Sequence, residues 1–140
     1  MSLPFAGRKG FTLVEIMLVV IIIGALSAMI IPRLTGRGDQ AKASVAKADV
    51  EAHLATALKL YEVDNGSFPS TSQGLAALRV KPTSSPVPKN WNGPYIEKDA
   101  VDPWERPYVY ASPGDHRPDY DLYSKGKNES AADDDIVNWQ

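Results

Sequence analysis

The sequence predicts an α+β chain: a long N-terminal α-helix, membrane-spanning over its first half, packed on a small C-terminal antiparallel β-sheet set among loops. Three observations predict it. Phe11 to Ile31 is an apolar run of twenty-one residues interrupted by a single charge, Glu15. An alanine-rich stretch with helical apolar spacing follows it, and beyond Gly66 the composition turns to proline, serine, glycine and aromatic residues. At 140 residues the chain has room for one compact domain beyond a membrane-length segment. Its net charge of −2 supplies no electrostatic footprint for nucleic acid. It holds no cysteine, so disulfides and thiolate metal sites are excluded.

Twenty-one helical residues span roughly 31 Å, close to the hydrocarbon thickness of a bilayer. A secretory signal peptide fits part of the same pattern: Arg8 and Lys9 form a basic start, and Ala25-Leu26-Ser27 offers a small-x-small cut site. Glu15 inside the run and apolar residues continuing to Ile31 favour a span or anchor, with the N-terminus inside. Pro32, followed by Gly36 and Gly38, predicts a weak point near Ala28 to Arg33. From Asp39 the helical signal returns, with Val50, Leu54, Leu58 and Tyr61 on one face and Asn65-Gly66 as its stop. His53, in mid-helix with no second histidine near it, reads as an exposed or packing residue and not as a ligand. Gln73 to Val80 reads as a short helix. Residues 108–112 (YVYAS) and 119–125 (DYDLYSK) read as a hairpin, and 136–139 (IVNW) as a third strand.

A carboxylate within an apolar span costs on the order of 2.5 kcal/mol, so Glu15 calls for a partner. The run Arg8-Lys9-Gly10-Phe11-Thr12-Leu13-Val14-Glu15 resembles the prepilin signature of the type IV pilin-like family. That resemblance implies a leader peptide of residues 1–10, removed by a prepilin peptidase between Gly10 and Phe11, with N-methylation of Phe11. It divides the rest into a transmembrane and filament-core helix, 11–31, and a periplasmic pilin-like domain, 32–140. In a stack of axially displaced copies, the Phe11 ammonium of one subunit lies beside the Glu15 carboxylate of another, which turns two costly charges into one pair.

The pieces NGSFPSTSQGLAAL, WNGPYI, DPWERPYVYASPG, DYDLYSKG and DIVNW are similar, in this order, to the major pseudopilins of type II secretion systems. What the resemblance implies is a homopolymeric periplasmic pseudopilus subunit, single-pass in the inner membrane, working with minor pseudopilins and an inner-membrane assembly platform to export folded proteins. A type IV pilin of a surface fibre and a singly anchored periplasmic binding domain are the alternatives. The segment KGKNESAADDD crowds Asp133, Asp134 and Asp135 together, and a hard cation such as Ca²⁺ would relieve their repulsion. In the resembled family this loop binds calcium, which implies Lys125, Asn128, Ser130, Asp133, Asp134 and Asp135 as its ligand set. Asn128 stands where the family usually has an aspartate. With two histidines and no paired nucleophile and base, phosphate loop or metal triad in the sequence, no enzymatic activity is expected.

Overall fold

The computed structural model describes residues 10–130 and 132–139; the side chains of residues 30–36 also lie outside what it describes. Residues 1–9, most of the expected leader, are likewise outside it. The chain divides between Gly38 and Asp39 into two compact units.

The first unit is helical. Helix α1 runs from Leu13 to Ala48, so it enters the second unit at its C-terminal end, and its assignment is unbroken at Pro32. The expected weak point near Ala28 to Arg33 falls largely among residues whose side chains are not described. From Leu13 to Met29 the large apolar side chains are exposed, Leu13 at 79% and Ile22 at 49%. The expected span from Phe11 to Ile31 stands differently: among the described residues no helix is long and apolar enough to cross a membrane, and the side chains of Ile30 and Ile31 are not described.

In the second unit α1 passes into a single π-helical turn, Asp49–His53, and then into α2, Leu54–Asn65. Gly66 closes α2 at φ +79°, a left-handed conformation that glycine adopts without steric cost, and its N–H donates to the Glu62 carbonyl at 2.7 Å. The expected helix over Gln73 to Val80 shrinks to a 3₁₀ turn, Leu75–Leu78. Its start is spent on side-chain bonds: the Ser70 N–H donates to Gln73 Oε1, and Gln73 Nε2 donates to the carbonyls of Ser84 and Pro86. Strands β1 (Val109–Ala111), β2 (Asp121–Ser124) and β3 (Ile136–Val137) form one antiparallel sheet in the order β1-β2-β3. Tyr110 faces Leu122, and Ser124 faces Ile136.

The core lies where α2 meets the 3₁₀ turn and the sheet. Val50 from the π-helical turn, Leu54, Leu58 and Tyr61 from α2, Leu75 and Leu78 from the 3₁₀ turn, Tyr110 and Leu122 from the sheet, and Tyr108 just before β1 are buried together. Each large aliphatic side chain so buried contributes about 1.5–3 kcal/mol. The proline-rich segments serve this core: Trp91 Nε1 donates to the Ala77 carbonyl at 2.9 Å, and the Tyr95 hydroxyl donates to Asp64 Oδ2 at 2.7 Å. Asp119, expected within the second strand, falls outside β2. Asp121 is buried and accepts the backbone N–H groups of Asp115, His116 and Arg117 together with His116 Nδ1, at 2.9–3.0 Å.

Candidate functional site

Two places on the chain hold the residues that the sequence singles out. The first is the tip of α1. Gly10 and Phe11 precede the helix, and Phe11 is 80% exposed. Thr12 stands at the N-cap of α1 and Glu15 three residues on, and the two bond reciprocally. The Glu15 N–H donates to Thr12 Oγ1 at 3.2 Å, and the Thr12 N–H donates to Glu15 Oε2 at 3.4 Å. This is a capping box, which satisfies two N–H groups that a helix start otherwise leaves without acceptors. Thr12 was not singled out in the sequence, although T-x-x-E before an apolar run is the signal for it. Glu15 therefore orients its carboxylate toward the Thr12 N–H at the start of its own helix. Its other oxygen, Oε1, has no partner among the described hydrogen bonds.

The second place is the loop after β2. Gly126 turns it at φ +60°, and a Cβ at that position would strike the backbone oxygen and carboxylate of Asp134. Asp134 Oδ2 accepts the N–H groups of Lys127 at 2.7 Å and Asn128 at 2.8 Å, which folds the loop back on itself. Asp134 Oδ1 is buried without a partner among the described residues. Burial first, and then the neighbouring Asp134 charge, raises the Asp135 carboxyl above its ordinary value. Lys127 Nζ reaches Asp39 Oδ2 at 2.7 Å and ties the loop to the start of the second unit.

Of the sequence-expected ligands, Asn128 and Asp134 are brought together, while Lys125, Ser130 and Asp133 are exposed. Among the described residues no three carboxylates or imidazoles are gathered as a ready cation cage, because Asp134 is turned inward onto the loop's own N–H groups. The buried, unpaired Asp134 oxygen and the disfavoured charge on Asp135 nevertheless fit a hard cation, which would supply what both lack. His53 is exposed and bonds Asp49 Oδ1 at 2.7 Å; the other Asp49 oxygen accepts the Tyr108 hydroxyl at 2.9 Å, a link the sequence reading missed.

The profile of the Type II secretion system (T2SS), protein G family matches residues 33–139 of the chain. The chain belongs to the type II secretion system protein G family. The prokaryotic N-terminal methylation motif matches residues 6–31, across the tip just described. The type II secretion system core protein G of Pseudomonas aeruginosa is 51% identical over 137 residues, which cover 94% of this chain and 95% of that protein. The core protein G of Escherichia coli K12 is 42% identical over 134 residues, covering 94% and 91%. The crystal structure of the major pseudopilin from the type 2 secretion system of enterohaemorrhagic Escherichia coli is similar with a TM-score of 0.66. It shares 36% identity and covers 76% of this chain and 89% of that one. The fold is accordingly that of the type IV pilin-like pseudopilins, and a protein G family member with a methylation motif is a subunit of a periplasmic pseudopilus.

Proposed function

We propose that this chain is the repeating subunit of the pseudopilus, polymerised from the inner membrane to move folded proteins across the outer membrane. Prepilin peptidase cuts between Gly10 and Phe11 and the new amine of Phe11 is methylated. The apolar helix holds the subunit in the inner membrane as a single pass, with its C-terminal domain in the periplasm. The assembly platform then transfers it, alongside minor pseudopilins, to the base of a homopolymer. One observation carries this reading. The apolar side chains of α1 from Leu13 to Met29 are exposed together, on a segment whose first turn carries Glu15, four residues after Phe11. A helix apolar all round needs lipid or neighbouring helices to cover it, and axial stacking of identical helices supplies both that cover and a counter-charge for Glu15.

Calcium belongs to the same proposal: Asp134 through Oδ1 and Asp135 would hold it, with Asn128, Asp133 and the Lys125 and Ser130 carbonyls as the further donors. Its charge would stabilise carboxylates that the loop otherwise crowds. The deciding experiment for the subunit reading is the intact mass of the protein recovered from membranes. A chain that begins at Phe11 and carries one methyl group is expected; a start at Met1 or at Ala28 overturns the filament reading.

A further inference from the structure

Two Asn-Gly pairs occur in the chain, Asn65-Gly66 and Asn92-Gly93, and the fold treats them oppositely. In such a pair the glycine nitrogen can attack the asparagine side-chain carbonyl carbon, because glycine has no Cβ to crowd the approach. The attack needs a free amide nitrogen and a backbone that can swing toward the side chain. At Asn65 both are denied. It is the last residue of α2, its Nδ2 donates to the Tyr61 carbonyl at 3.0 Å, and the Gly66 N–H donates to the Glu62 carbonyl at 2.7 Å. At Asn92 neither is denied. Asn92 is exposed, in a segment without helix or strand from Trp91 to Pro94, and neither its side chain nor the Gly93 N–H has a partner among the described hydrogen bonds. A glycine is also required there: a Cβ on residue 93 would stand 2.5 Å from Trp91 Cζ2, and Trp91 is held in place by its Nε1 bond to the Ala77 carbonyl at 2.9 Å.

We propose that Asn92 is a site of spontaneous deamidation whose isoaspartate product loosens the loop around Tyr95. The Gly93 nitrogen gives its proton to solvent base and bonds to Asn92 Cγ, the Cγ–Nδ2 bond breaks, and ammonia leaves, which closes a succinimide ring. Water then opens the ring at either carbonyl, to aspartate or to isoaspartate. The net change is one water in and one ammonia out, so no other co-reactant is needed. Both products carry a carboxylate at residue 92, and isoaspartate also adds a methylene to the main chain. The loop that must absorb the change is closely tied. The Asn92 N–H donates to the Tyr95 hydroxyl at 3.0 Å, the same hydroxyl donates to Asp64 Oδ2 at 2.7 Å, and Trp91 stands edge-on to Tyr95 with ring centroids 5.8 Å apart. A longer main chain at residue 92 pulls its N–H away from the hydroxyl, which lowers the melting temperature by about 4–8 °C, the effect of one lost hydrogen bond in a small domain. The site stands independently of the pseudopilus reading.

The test incubates the full chain, purified in detergent, at mildly alkaline pH with and without guanidinium chloride. Tandem mass spectrometry of the tryptic peptides Leu60–Arg79 and Asn90–Lys98 then follows each asparagine. In the folded chain Asn92 converts about tenfold or more faster than Asn65, whose two hydrogen bonds must break first. In the denaturant both convert at similar rates. Asn92→Gln, whose longer side chain would have to close a larger ring, stays unconverted. The fraction enriched in isoaspartate, separated by chromatography, melts below the fresh chain by the shift given above. An Asn92 that survives in the folded chain while reacting in denaturant overturns the proposal, as does an Asn65 that reacts as fast as Asn92 without denaturant. A melt unchanged by isoaspartate overturns the effect on the loop.

Discussion

Replacing Glu15 by alanine, and in a separate chain Thr12 by alanine, separates the helix cap at the tip of α1 from the proposed counter-charge role of the same carboxylate. Each substitution destroys the capping box, whose bonds are 3.2 and 3.4 Å long, so each weakens the helix start by about 1 kcal/mol. In the proposed filament, only Glu15→Ala also removes the counter-charge for the Phe11 amine of a neighbouring copy. Breaking a buried charge pair by deleting one partner costs about 3–5 kcal/mol, and it recurs at every subunit contact. That corresponds to a loss of about a hundredfold or more in subunit association. Membrane insertion moves the other way, because an apolar residue spares the roughly 2.5 kcal/mol that the carboxylate costs in hydrocarbon. Leader removal and insertion should therefore survive in both variants, checked by intact mass and membrane fractionation. Filament yield, measured by shearing and pelleting from cells at native expression, should stay near wild type for Thr12→Ala and collapse for Glu15→Ala. Equal losses in the two variants would reduce Glu15 to a helix cap, and normal filaments from Glu15→Ala would refute the pairing outright.

The remaining predictions concern the second unit, which carries every buried core residue among those described, so that a fragment of residues 39–140 is a fair object for melting. Asp121→Asn turns an amide donor toward N–H groups that need acceptors; a cost of about 3 kcal/mol should lower the melting temperature by about 10 °C or more, followed by circular dichroism. Burial would raise the Asp121 carboxyl, but the His116 backbone and ring, Arg117 and Asp115 outweigh it and hold it below its ordinary value. Its contribution is therefore complete above the unfolded value near pH 3.9, about that of a free aspartate, and is lost as pH falls through the folded value; Asp121→Asn should flatten this acid limb. Asp135 has the opposite sign. Its raised carboxyl favours the fold below about pH 3.9 and loses that benefit as pH rises through the folded value, so Asp135→Asn should raise the neutral-pH melting temperature in chelator and gain nothing at pH 3. Calcium should raise the wild-type melting temperature and do less for Asp135→Asn; a wild-type melt indifferent to calcium counts against the metal. Glu105→Gly relieves a left-handed residue at φ +66° worth about 1–2 kcal/mol, partly offset by glycine's unfolded-state entropy, so a rise of a few degrees is expected and a fall would show that the Glu105 side chain holds the turn.

Much of the architecture was legible because its signals are local. Apolar spacing at Val50, Leu54, Leu58 and Tyr61 marks a helical face whatever it packs against, and these four residues are buried. The strands were found but came out short, Val109–Ala111 and Ile136–Val137, because strand length depends on the partner available for pairing. The helix expected at Gln73 to Val80 failed for a related reason: Gln73 found better acceptors eleven and thirteen residues away. At the tip, Glu15 stood out as the lone charge of an apolar run, Gly10 and Phe11 came from the resemblance to the prepilin signature, and Thr12 could have been found from T-x-x-E. In the loop, three consecutive aspartates suggested a cage, whereas the backbone turn at Gly126 draws Asp134 inward and leaves Asp133 in solvent.

The sequence by itself determined the long apolar helix, its lone acid, the prepilin-like junction and the helical face that becomes the core, since periodicity and motif spacing act over a few residues. Only the tertiary structure decided which acids are buried. Asp102, Asp121 and Asp134 look like ordinary loop or strand acids in the chain, and each becomes a hub once folding brings unpaired N–H groups around it. The N–H groups that Asp102, Asp121 and Asp134 collect lie within seven residues of each in the sequence, so it is the turn conformation that the fold imposes, and not a pattern of residue types, that aims them at the carboxylate.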